Sequence, residues 1–138
     1  MVFYSQITIC DSESNYLTQV YALKMIDRHI KGLSIAHLNI QGQLNKIDQI
    51  RYLLVKHRFI ILHLSETLLT PKIVTELVSI PGYNIVGRLG GGLVTFIESS
   101  LFYKPISDLN SILCETMTIK ISPSHCKPFL TTAIYPTP

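Results

Sequence analysis

At 138 residues the chain has room for one domain with a substantial core, and not for two comfortable ones. A net charge of +3, from 12 basic and 9 acidic residues, permits contact with nucleic acid but lacks the clustered basic footprint that would argue for it. Although 47% of the residues are hydrophobic, no apolar run nears the roughly 18 residues of a membrane span, which excludes a transmembrane helix. The mean hydropathy of +0.32 is high for a soluble domain. Either the core is generous, or apolar surface is left to be covered by something else.

The opening "MVFYSQITICDSES" has no basic segment followed by an apolar one, so no secretory signal is expected. Ser14 or Asn15 can cap a helix in which Leu17, Val20, Tyr21 and Ile26 recur at near-helical spacing. Lys31-Gly32 ends it, and the densest basic stretch (Lys24, Arg28, His29, Lys31) reads as its solvated end. Residues 1–31 are thus a partly helical extension before a domain over 32–138.

From there the rhythm alternates. "LSIAHLN" (33–39) is a strand, and "NKIDQIRYLLVKH" (45–57) is an amphipathic helix. Ile47, Ile50, Leu53 and Leu54 share one helix face, with Lys46, Asp48, Gln49, Arg51 and Lys56 on the other. "FIILHL" (59–64) is a buried strand, so 33–64 form a β-α-β unit with parallel strands. Pro71 suits the first turn of a short helix, and "IPGYNIV" (80–86) reads as a turn at Pro81-Gly82 leading into a strand. Residues 87–92 read as a loop, 93–99 as a strand, and 114–121 as a strand with Met117, Ile119 and Ile121 on one side. A last strand spans 129–135. This order predicts an α/β layered sandwich with a mixed sheet.

Cys10, Cys114 and Cys126 are odd in number and scattered, which favours a reducing, intracellular setting over a disulfide framework. His125-Cys126 lacks the spacing of a zinc knuckle. Gly90-Gly91-Gly92 precedes a strand and has no Lys-Ser/Thr behind it, so it reads as a turn rather than a phosphate-binding loop. Glu66 stands out because its strand needs no carboxylate at its end for folding. It is either a structural cap or ion pair, or a ligand for a hard cation such as Mg²⁺. Asn39 ends the neighbouring strand, on the edge of an α/β sheet where ligands bind.

The succession "HLNI", "LSET", "IPGYNIV", "GGGLVTFI", "AIYPTP", from Gly32 to Pro138, resembles the endonuclease/exonuclease/phosphatase family. It is most similar to the apurinic-endonuclease-like domain of non-LTR (LINE-type) retrotransposon reverse-transcriptase proteins. The resemblance implies a deoxyribonuclease-like sandwich and Mg²⁺-dependent hydrolysis of DNA phosphodiesters, with Mn²⁺ able to substitute. It assigns Glu66 to the metal, and Asn39 and Tyr135 to the catalytic neighbourhood of the scissile phosphate. It implies DNA as partner, no membrane association and a nuclear or cytoplasmic location.

The chain departs from the family pattern in three places. "IYPTP" lacks the Arg often found after the Tyr, and "GRLGGG" is shorter than the usual loop. The Asp-x-Asn and Ser-Asp-His motifs do not follow Tyr135; Asp108-Leu109-Asn110 precedes it and is a coincidence. The expectation is therefore an incomplete domain lacking its C-terminal half, with an uncovered inner sheet face through which it can self-associate. Metal binding would be weak or absent, and the chain inactive alone. The alternatives are a non-catalytic binding or assembly module, and a small-molecule or lipid-phosphate phosphatase of the same family.

Overall fold

The computed structural model describes residues 8–9, 34–40, 46–57, 59–67, 75–87, 92–106 and 114–136. The expected helix of the first thirty residues, Cys10, Pro71, Gly90-Gly91 and Asp108-Leu109-Asn110 lie outside them. Within them the chain is a mixed α/β structure, mostly strands in two sheets. The elements are β1 (Thr8–Ile9), β2 (Ile35–Asn39), α1 (Ile47–His57), β3 (Ile61–Ser65), α2 (Thr75–Val78), β4 (Tyr83–Gly87), β5 (Val94–Glu98), β6 (Phe102–Ile106), β7 (Cys114–Ser122) and β8 (Phe129–Pro136). No described helix is long and apolar enough to cross a membrane.

The first sheet has the order β1-β2-β3-β5-β4 and the second β6-β7-β8. As expected of a β-α-β unit, β2 and β3 are parallel, paired from Ile35↔Ile61 to Asn39↔Ser65. β5 runs antiparallel to both β3 and β4. The Pro81-Gly82 turn forms as read, with Gly82 at φ 84° and the Tyr83 N–H donating to the Ile80 carbonyl at 3.1 Å.

Strand periodicity sorts the core into two layers. On one face of the first sheet, Ala36, Leu38, Leu62, Leu64, Val94 and Phe96 meet Ile47, Ile50, Leu53 and Leu54 of α1. On the other, Ile61, Leu93 and Ile97 meet Met117, Ile119, Ile121 and Ala133 of the second sheet. The layers are therefore helix, sheet, sheet, and β3 is buried along its whole length.

The first sheet does not present an uncovered face, because the chain's own β7 and β8 pack on it. The exposed sheet surface is instead the outer side of the second sheet, where Phe102, Leu130 and Ile134 are 77%, 56% and 57% exposed. The strand β6 was also illegible, since Pro105 breaks its pattern. Proline is tolerated there because β6 is an edge strand.

Buried His63 makes a polar bridge between the sheets. His63, buried on β3, holds Thr95 Oγ1 through Nδ1 and Thr131 Oγ1 of β8 through Nε2, both at 2.7 Å. Thr95 Oγ1 also donates to Met117 Sδ at 3.2 Å, so it accepts from Nδ1–H and leaves Nε2 to accept from Thr131. Burial, and secondarily the neighbouring His37, push the His63 pKa down from 6.5 to about 4. Between those values the unfolded chain takes up a proton that the folded chain refuses. The stabilising effect of a neutral His63 is thus intact above pH 6.5 and erodes as pH falls toward 4, by on the order of 3 kcal/mol. Burial also lowers the His37 pKa, so that group acts in the same direction. Urea denaturation is expected to show falling stability across this window, and His63→Gln to flatten the slope. An unchanged slope in the variant would place the acid sensitivity elsewhere.

Candidate functional site

The parallel pairing of β2 and β3 brings their C-terminal ends to one edge, with Asn39 opposite Ser65. The chain then turns sharply. Glu66 has φ 54°, a left-handed backbone that side chains other than glycine rarely adopt. Such a conformation costs on the order of 1–3 kcal/mol and persists where surrounding contacts enforce it. Here Thr67 N–H donates to the Gly92 carbonyl at 3.1 Å, and Ile40 N–H to the Ser65 carbonyl at 3.1 Å, fixing the backbone on both sides of Glu66.

The turn delivers the Glu66 carboxylate to the sheet edge. Its Oε1 accepts a hydrogen bond from Asn39 Nδ2 and another from the Tyr135 hydroxyl, each at 2.9 Å. All three residues singled out in the sequence thus meet at one oxygen, with Tyr135 reaching in from the second sheet. Both bonds fall on Oε1, and Glu66 forms no ion pair among the described residues. Two buried oxygens nearby in sequence, Asn39 Oδ1 and Thr67 Oγ1, have no hydrogen-bond partner. Buried polar atoms are normally satisfied, so orphans beside a carboxylate mark a place where a ligand or water fits.

Three further residues that the sequence reading did not select lie around this cluster. Glu115 on β7, paired with Tyr135 of β8, accepts from Gly92 N–H at 2.9 Å and Leu93 N–H at 3.2 Å. Its signal was present: it shares the alternation that turns Met117, Ile119 and Ile121 inward. His37, two residues before Asn39, approaches Ser65 Oγ through Nε2 at 3.2 Å. Lys46, read as part of the solvent face of α1, donates from Nζ to the carbonyl of Ile40, the residue after Asn39.

The hydrogen bond to Glu66, with smaller effects of desolvation and of the Glu66 and Glu115 charges, raises the Tyr135 pKa above its ordinary 10. The phenol therefore keeps its proton throughout the neutral range. Among the described residues no three His, Cys, Asp or Glu side chains group closely enough to cage a metal ion. Mg²⁺ keeps several waters and takes only one or two carboxylates. Glu66 Oε2 and Asn39 Oδ1 are the hard oxygen atoms that could hold it. No protein-family model matches the chain, and no curated protein is significantly similar to it.

Replacing Glu66 by Gln removes both the carboxylate charge and the strong acceptor. The Tyr135 pKa is then expected to fall toward 10. It is measured as the tyrosinate absorbance change lost on adding Tyr135→Phe to either background. An unshifted titration would mean that the phenol and carboxylate do not meet in solution.

Proposed function

We propose that this edge is the cation and phosphate half of a phosphodiester-hydrolase site of the endonuclease/exonuclease/phosphatase type. The helix, sheet, sheet layering is then part of a deoxyribonuclease-like sandwich, and the substrate class is DNA. One observation carries the reading. A strained strand end holds a carboxylate whose first oxygen is saturated by Asn39 and Tyr135, beside an orphan amide oxygen.

The roles follow from the atoms. Asn39 Nδ2 and the Tyr135 hydroxyl fix Glu66 Oε1, which leaves Oε2 and Asn39 Oδ1 to receive Mg²⁺. When bound, that ion supplies charge neutralisation at the phosphoryl and leaving oxygens. Tyr135, protonated at neutral pH, can turn its hydroxyl to a phosphate oxygen. Lys46 Nζ sits at the same sheet edge, donating to the Ile40 carbonyl. None of these residues is placed as a base to take the proton of an attacking water. The chain alone is thus expected to bind the cation at most weakly and not to turn over DNA.

The test uses the 138-residue chain and Glu66→Gln side by side. At Mg²⁺ tenfold above its Kd, the linkage predicts stabilisation of about 1.4 kcal/mol, read as a higher unfolding midpoint and absent in Glu66→Gln. Neither protein should nick supercoiled plasmid with Mg²⁺ or Mn²⁺. Equal stabilisation of both proteins would reject the site. Metal-dependent nicking lost in the variant would uphold the site but overturn the claim that it lacks its base.

A further inference from the structure

Glu66 does not hold its left-handed conformation by its own contacts alone. Its neighbour Thr67 is tied through its N–H to the carbonyl of Gly92, and Gly92 is in turn held from the other side by Glu115. The Glu115 carboxylate takes both of its bonds from consecutive backbone donors, Gly92 N–H and Leu93 N–H, at the entry to β5. Charge-assisted bonds of this kind are stronger than those between neutral groups. Gly92 also has close neighbours from both sheets. A Cβ there would lie 3.3 Å from Glu115 Oε2, and 3.7 and 3.9 Å from the Glu66 N and Cα. The absence of a side chain lets both the Glu115 carboxylate and the Glu66 backbone approach Gly92 closely.

We propose that Glu115 is a positioning residue: it clamps the Gly92-Leu93 backbone, which holds Thr67, and thereby sets the direction of the Glu66 carboxylate. The clamp comes from the second sheet, as Tyr135 does, and Glu115 and Tyr135 are cross-strand partners. One β7–β8 pair thus fixes Glu66 twice, through its side chain by Tyr135 and through its backbone by Glu115. The consequence for a bound cation rests on the metal reading given above. The backbone relay itself does not.

The relay is read by amide hydrogen exchange on the full chain, and its consequence by calorimetric titration with Mn²⁺. Glu115→Gln keeps the shape but faces one N–H donor with its own NH₂ group. In this variant the amides of Gly92, Leu93 and Thr67 are expected to exchange about tenfold faster or more, while the β3–β5 ladder at Leu62 and Phe96 keeps its protection. Mn²⁺ affinity is expected to fall about 10- to 100-fold, as for other residues that orient a ligand. Gly92→Ala, which crowds Oε2 while leaving the charge in place, should accelerate Thr67 in the same way. The proposal is overturned if Thr67 keeps wild-type exchange in Glu115→Gln. It is equally overturned if every amide loses protection alike, since Glu115 would then be a general stabiliser. If the unaltered chain takes up no Mn²⁺, the metal reading fails and the exchange measurement still decides the relay.

Discussion

A single carboxylate oxygen, Glu66 Oε1, receives a hydrogen bond from each of the two sheets, and the architecture can be read as the means of bringing them there. Asn39 arrives because β2 and β3 are parallel and in register to their last residues. Tyr135 arrives because β8 crosses the inner face of the first sheet, touching His63 through Thr131 before it reaches Glu66. A slip of one residue in either strand would turn these side chains to the opposite face. The cluster therefore depends on the same register that buries Ile61, Leu62 and Leu64.

The interface between the sheets has two characters. Toward the start of β3 it is apolar, closed by Ile61, Ile97, Ile119 and Ile121. Toward the end it becomes a polar seam of His63, Thr95 and Thr131, then His37 and Ser65, then the Glu66 cluster. Burying polar groups between sheets is costly unless each finds a partner. Most members of the seam do, and the exceptions, Asn39 Oδ1 and Thr67 Oγ1, come from Asn39 and from the residue beside Glu66. Among the described residues, the unmet hydrogen-bonding capacity thus lies beside the left-handed backbone of Glu66.

Much of the architecture was legible because it rests on local rules. The apolar spacing of Ile47, Ile50, Leu53 and Leu54 gave α1, and "FIILHL" gave a buried strand whose polar end pointed to Glu66. The meeting of Asn39 and Glu66 followed from parallel strands alone. What was not legible depends on contacts far apart in the chain. That β7 and β8 cover the first sheet is a property of two distant segments. Glu115 looked like an ordinary strand residue because its partners are backbone N–H groups 22 and 23 positions away. Its inward parity beside Met117 was the one local sign. His63 likewise read as one polar letter in an apolar run, and only the two threonines from other strands give it a role.

The central claim is that the Asn39, Glu66 and Tyr135 cluster receives a divalent cation. The most direct measurement is the pattern of amide resonance broadening when Mn²⁺ is added to the isotopically labelled chain. Glu66, Thr67, Ile40 and Tyr135 are expected to broaden first, and the exposed acids Asp48 and Glu76 on the two helices only at higher metal. Broadening that begins at Asp48 or Glu76 and spares Glu66 would contradict it.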